Sequence, residues 1–207
     1  MMNTRVLPLG IYGANCVILW QDPQQAWLFD PGYDAATILA ALKKENLQLG
    51  ALVLTHAHFD HISALNDVLA RYPAPAYLHA DDAPMAFSPM NQMPPYSSTK
   101  RPASLDTSKG DGDTLTCGGL TATFIHTPGH TPGSWCTLFT SEALMVTGDT
   151  LFAGSIGRTD FPGGSMAAME ASLLKLKQLP DTIRIICGHG SESTLGREKK
   201  TNPFFHN

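Results

Sequence analysis

Apolar residues open the chain in short runs over residues 5–9, 15–20 and 26–29. Runs of that length suit strands, and the Asp30-Pro31-Gly32 turn signal that follows closes what reads as an antiparallel meander. The period then changes. Ile38, Leu39 and Leu42 stand at helical spacing within residues 35–45, ahead of an unbroken apolar run, 51–54, that reads as a buried central strand. A second helix is expected over 62–72, a short strand at 77–78 and a small helix at 81–87. Residues 88–112 hold several Pro, Ser and Asp with little periodicity, and so long an irregular stretch predicts a functional loop beside a binding cleft. Strands return at 121–126, 135–139 and 144–146, followed by a helix over 166–179, a strand at 184–187 and a terminal helix from Thr194. Strand groups that alternate with helices in both halves predict an α/β fold. Its expected form is a four-layer αββα sandwich, two mixed sheets with helices on the outer faces, in one domain spanning residues 1–207.

Composition narrows the partners more than the fold. With 43% hydrophobic and 15% charged residues the chain is ordinarily globular. Its 14 Lys+Arg against 18 Asp+Glu, with no basic run, argue against nucleic acid as a partner. No apolar run reaches the roughly 18 to 20 residues of a spanning helix and no leader pattern opens the chain, so no membrane association and a cytoplasmic location are expected. Cys16, Cys117, Cys136 and Cys187 stand far apart without a CxxC pair and are expected to be buried thiols.

The chemistry concentrates directly after the run 51–54. There the chain reads Thr55-His56-Ala57-His58-Phe59-Asp60-His61, four metal-competent side chains within six residues. His56 and His58, two apart, can share one face of an extended segment, whereas Asp60 and His61 lie past a turn and can aim at a neighbouring position. One segment can thus serve two metals. Three further donors follow, each beside a glycine near the end of an expected strand: Gly129-His130, Gly148-Asp149 and Gly188-His189. Glycine permits the backbone that draws strand ends together, and strand ends are where α/β folds build their sites. A lone histidine is more often packed or exposed than ligating, and His79, His126 and His206 are read that way. None of these three completes a second cluster, and His206 falls in the tail.

The run THAHFDH, followed in order by HTPGHT, GDTLF and CGHG, resembles the metallo-β-lactamase superfamily across residues 55 to 190. That resemblance implies the αββα sandwich. Position by position, it implies one metal on His56, His58 and His130, a second on Asp60, His61 and His189, and Asp149 bridging them. The cofactors implied are two divalent ions, zinc foremost, with iron or manganese also accepted by His/Asp donors. The stretch GDTLFAGSIGRTD is similar to the glyoxalase II group, which hydrolyses S-D-lactoylglutathione and related thioesters. TLGREKKTNPFF resembles a compact, single-domain bacterial branch of that group, without the C-terminal helical domain of its larger members. Arg158 stands where the family has a basic glutathione contact, while Asp160 and Ser191 stand where it has tyrosines.

On this reading the substrate is a small-molecule thioester, glutathione-based or related. A hydroxide shared by two ions attacks the carbonyl, Asp60 orients it or takes its proton as the catalytic residue, and the thiolate leaves with little need of protonation. The rival within the superfamily is a persulfide dioxygenase using one Fe(II) on His56, His130 and Asp149. A lactonase, a nuclease and a non-catalytic metal-binding module complete the alternatives.

Overall fold

The computed structural model describes residues 2–21 and 25–205, so His206 lies outside them. Strands β1 (Asn3–Leu9), β2 (Ala14–Trp20) and β3 (Ala26–Phe29) form the expected antiparallel meander. Helix α1 (Ala35–Lys44) starts where the Asp34 carboxylate accepts the Thr37 N–H and ends on Lys43 and Lys44, which complement the helix dipole. It returns the chain so that β4 (Leu49–Val53) runs parallel to β3. Beyond β4, β5 (Ala76–Tyr77) and β6 (Leu105–Asp106) extend the sheet in the order β1-β2-β3-β4-β5-β6.

The second sheet begins with β7 (Thr114–Cys117), β8 (Leu120–His126), β9 (Trp135–Phe139) and β10 (Leu144–Gly148), paired antiparallel in series. A small hairpin, β11 (Leu151–Phe152) and β12 (Ser155–Ile156), precedes α5 (Met166–Lys177), whose first turn is capped by Ser165. Strand β13 (Arg184–Cys187) then joins β10 in parallel, and β14 (Ser193–Thr194) leads into α6 (Leu195–Thr201). Both sheets are therefore mixed.

Alternation along each strand feeds separate cores. In β3, Trp27 and Phe29 face the second sheet, where Trp27 meets Phe139 edge-on at 5.2 Å, while Ala26 and Leu28 pack toward the helices. The first sheet buries its outer face against Ile38 and Leu42 of α1 and against a further helix, α3 (Leu65–Arg71), through Leu65 and Val68. The second buries its own against Met169, Leu173 and Leu176 of α5 and Leu195 of α6. The four layers are thus αββα, as the strand pattern predicted.

Local departures have physical causes. The helix expected over 62–72 is two, α2 (Phe59–Ile62) and α3, separated at Ser63-Ala64. There Ser63 Oγ donates to the Phe59 carbonyl at 2.6 Å and the Ala64 N–H to the Pro31 carbonyl at 2.9 Å, so α2 is tethered to the Asp30-Pro31-Gly32 turn. The small helix near 81–87 is a 3-10 turn followed by α4 (Ala83–Ala86). Residues 88–112 are not structureless: β6 pairs with β5, and Asn66 Nδ2 donates to Thr99 Oγ1 and the Lys100 carbonyl. Strand β7 lies on an edge, and β6, β11, β12 and β14 have two residues each, too short for a local pattern to reveal. All four cysteines are buried, and burial pushes the Cys136 thiol up to about 11 and Cys187 to about 12. Among the described residues no helix is long and apolar enough to cross a membrane.

Candidate metal centre

The seven donors singled out in the sequence meet at one end of the sandwich. His56 to His61 follow β4, His130 lies in the β8–β9 loop, Asp149 follows β10 and His189 follows β13. Two glycines make this approach possible. A Cβ at Gly32 would sit 1.6 Å from the Asp60 carbonyl oxygen, and one at Gly188 would sit 2.0 Å from Asp149 Oδ1. Any side chain at either position would push a donor out of place.

The donors fall into two sets joined by a carboxylate. His58 Nδ1 and His130 Nε2 face each other at 2.8 Å with His56 beside them. His61 Nε2 and His189 Nε2 lie 3.2 Å apart, and Asp60 Oδ2 stands 3.8 Å and 3.5 Å from them. Asp149 touches both sets, with Oδ2 3.4 Å from His130 Nε2 and Oδ1 3.5 Å from His61 Nε2. Donors arranged tetrahedrally at roughly 2.1 Å from a cation lie about 3.4 Å from one another, so these spacings suit divalent metal. His56 Nε2 and Asp149 Oδ1 are buried without a hydrogen-bond partner, and cations held by the two sets would remove that deficit.

Four of the five imidazoles are oriented from behind. The His130 Nδ1–H donates to the Arg158 carbonyl at 2.7 Å and the His189 Nδ1–H to the Tyr12 carbonyl at 3.0 Å, leaving Nε2 of each as the acceptor. His61 Nδ1 is 2.9 Å from Asp30 Oδ2. Thr55 Oγ1 donates to the same Asp30 oxygen and lies 3.0 Å from His56 Nδ1, so Asp30 aligns two imidazoles at once. Contacts of this kind select the tautomer and raise the basicity of the ligating nitrogen. Asp82 ties the two ligand loops together, accepting from the Ala57 N–H at 2.8 Å, Thr131 Oγ1 at 2.7 Å and the Gly133 N–H at 2.6 Å. Sequence reasoning passed over Asp30, Asp82 and Tyr12. Only Asp30 carried a signal, as the first residue of a turn at a strand end.

Electrostatics matches the geometry. Burial, with His130 next to it, lowers His58 to about 4, and burial with the surrounding imidazoles holds His56 well below the usual histidine range. Both are delivered in the neutral form that ligates. Burial also opposes charge on His61, yet the carboxylates of Asp149, Asp60 and Asp30 outweigh it and raise His61 to about 10. Asp60 is pushed up by burial and more strongly down by His61 and His189, and it ends below the usual carboxylate range. The acids of the centre call for positive charge.

His79 and His126 form a grouping that the sequence did not predict. Their rings stack at 4.0 Å with an interplanar angle of 8°, and Asp81 Oδ2 lies 3.6 Å from His79 Nδ1. Although these three offer donor atoms within 4.8 Å of one another, parallel rings carry parallel lone pairs that do not converge on a point. The stack is packing between the two sheets, as each histidine taken alone was expected to be.

A cleft of about 680 Å³ opens over the centre, lined by Tyr12, Phe59, Met93, Phe152, Ile156 and Phe161 together with the exposed faces of the donors. Of residues 88–112, Met93 is the one that reaches it. Behind the β11–β12 hairpin, Asn202 Nδ2 donates to the Phe152 and Ser155 carbonyls, and buried Glu198 accepts from the Gly154 N–H at 2.7 Å. The TLGREKKTNPFF stretch therefore supports the cleft wall. Arg158 lines the cleft, and its guanidinium is bound to Asp160, through Nε and Nη2 at 2.7 Å each.

Comparison with known proteins agrees with this geometry. The family model of the metallo-beta-lactamase superfamily matches residues 9–189. A hydroxyacylglutathione hydrolase, GloC, of Haemophilus influenzae is 32% identical over 99% of both chains. The crystal structure of BLEG-1, described as a B3 metallo-beta-lactamase, superposes with a TM-score of 0.90 at 37% identity, covering 99% of this chain and 100% of that one. TTHA1623 in a di-iron-bound form gives 0.86 at 34% identity, covering 97% and 99%.

Proposed function

This chain belongs to the metallo-β-lactamase superfamily, and from that membership we propose that it is a binuclear metallo-hydrolase cleaving thioesters, of the glyoxalase II type. His56, His58 and His130 would hold one divalent ion, Asp60, His61 and His189 the other, and Asp149 would join them. Bound there, the ions would supply a water acidified towards neutral pH and positive charge facing the substrate carbonyl. Asp60 Oδ2, at the edge of the cleft, is placed to orient that water or accept its proton.

The observation that carries the thioester reading is what lines the cleft. Its only imidazoles and carboxylates, those of His58, Asp60, His130, Asp149 and His189, all belong to the donor set, and the phenol of Tyr12 donates to Met93 Sδ, so among the described residues none stands apart as a general acid. A leaving group must then depart without a dedicated proton donor. A thiol ionises with an ordinary pKa of about 8.5 and so leaves readily as the thiolate, whereas an amide nitrogen does not leave as its anion. One water is consumed: its oxygen bonds to the acyl carbon, the C–S bond breaks, and a carboxylate and a thiol result.

The persulfide dioxygenase reading uses only His56, His130 and Asp149. It leaves His58, Asp60, His61 and His189 converged without a task. The GloC relative favours thioester hydrolysis, while the likeness to BLEG-1, a B3 metallo-beta-lactamase by description, makes a β-lactam the substrate to test against it. Metal content of the purified protein, measured with parallel assays of S-D-lactoylglutathione, a β-lactam and persulfide-dependent oxygen uptake, decides between them. Two metals per chain with thioester cleavage is the expected outcome. One iron with oxygen uptake, or β-lactam turnover alone, would overturn the proposal.

A further inference from the structure

The cleft is apolar where a thiol carrier would lie. Tyr12 and Phe59 stand 6.2 Å apart, and Tyr12 Oη lies 2.8 Å from Met93 Sδ. On the other side Phe161 meets His58 edge-on at 5.8 Å and Phe152 meets His189 at 6.1 Å. Apart from the imidazoles of the centre, Arg158 is the one cation among the described residues lining this space.

One edge of Arg158 is already taken. Its Nε–Nη2 edge is forked onto both oxygens of Asp160, and the guanidinium carbon sits 3.7 Å from the centroid of the Phe161 ring. Hydrogen bonding to Arg158 holds the Asp160 carboxyl below the usual range, so the pair stays ionised at neutral pH.

We propose that Asp160 is a specificity-determining residue: by occupying one edge of Arg158 and cancelling its charge, it turns the cleft toward thioesters of uncharged, apolar thiols and away from anionic ones. The inference rests on the thioesterase reading above. A carboxylate on the thiol half would meet aromatic carbon and an arginine whose Nε–Nη2 edge and charge are already paired, and would lose water for a weakened partner. An uncharged thiol half buries apolar surface on the same wall. Because the pair is exposed, with side chains 54% and 69% accessible, its influence is graded, at about fivefold in selectivity.

The test uses the metal-loaded full chain and two substrates differing in one charge, the S-lactoyl thioesters of N-acetylcysteine and of its methyl ester. The wild type is expected to give the higher kcat/KM with the methyl ester. Asp160→Asn should raise the ratio of acid to ester about fivefold, mainly through KM, and adding Arg158→Gln should return the ratio to its starting value. A wild-type preference for the acid, or a ratio unmoved in Asp160→Asn, overturns the inference while leaving the thioesterase reading intact. If neither thioester is cleaved, the thioesterase reading fails. Calorimetry with S-hexyl-N-acetylcysteine and its methyl ester then judges the cleft alone: tighter binding of the ester supports the inference, and equal or weaker binding overturns it.

Discussion

Two groups of histidines on this fold differ in how their rings face. In the metal centre the rings of His56, His58 and His130 stand at 74° to 89° to one another, and their nitrogens point inward. His79 and His126 lie parallel at 8° and satisfy each other by stacking. Proximity is common to both groups. What differs is the support: Asp30, the Arg158 carbonyl and the Tyr12 carbonyl each rotate an imidazole of the centre and fix its tautomer, whereas in the stack His126 Nε2 meets the Pro132 carbonyl and His79 Nδ1 accepts from the Asp81 N–H at 3.3 Å, and both contacts leave the rings parallel. A metal centre is thus made by the contacts behind the ligands as much as by the ligands.

The contrast breaks most severely at the donors themselves. His58→Ala or Asp149→Ala should lower hydrolysis by more than about a thousandfold and reduce bound metal, with the circular dichroism of the fold retained. Metal-replete mutants with near-normal turnover would refute the assignment. One contact further out, Asp30→Ala removes the partner of His61 and of Thr55 together. Metal affinity by competition with a chelator should weaken about 10- to 100-fold, and unchanged affinity would mean that the imidazoles orient themselves.

Smaller effects sharpen the comparison. Asn202→Ala removes the donor to the Phe152 and Ser155 carbonyls, contacts that no metal donor uses directly, and should destabilise the protein by about 1–3 kcal/mol in urea unfolding while leaving metal content unchanged. In the stack, His126→Phe keeps a ring but no donor. It should leave metal stoichiometry untouched and shift stability by no more than about 1.5 kcal/mol, and loss of one metal equivalent would show the stack to be a ligand site after all.

Much of this was legible in the sequence because ligand chemistry admits few residue types and because one loop carries four of the seven donors. THAHFDH declared the centre, the glycines beside His130, Asp149 and His189 marked the other strand ends, and short apolar runs grouped with helical segments in both halves announced two sheets. What stayed hidden had no local pattern. The break between α2 and α3, and the pairing of β6, depend on bonds to Pro31 and β5 that no spacing rule reports.

The sequence by itself determined which atoms are available to hold metal and which strands are apolar enough to face one another, since both follow from side-chain identity and period. Only the tertiary structure decided how those atoms are aimed and what the cleft above them will accept. Asp30 reaches Thr55 across 25 residues and Tyr12 reaches His189 across 177. Hydrogen bonds act through space, and it is the pairing of β3 with β4 and the packing of the two sheets that bring these partners within reach.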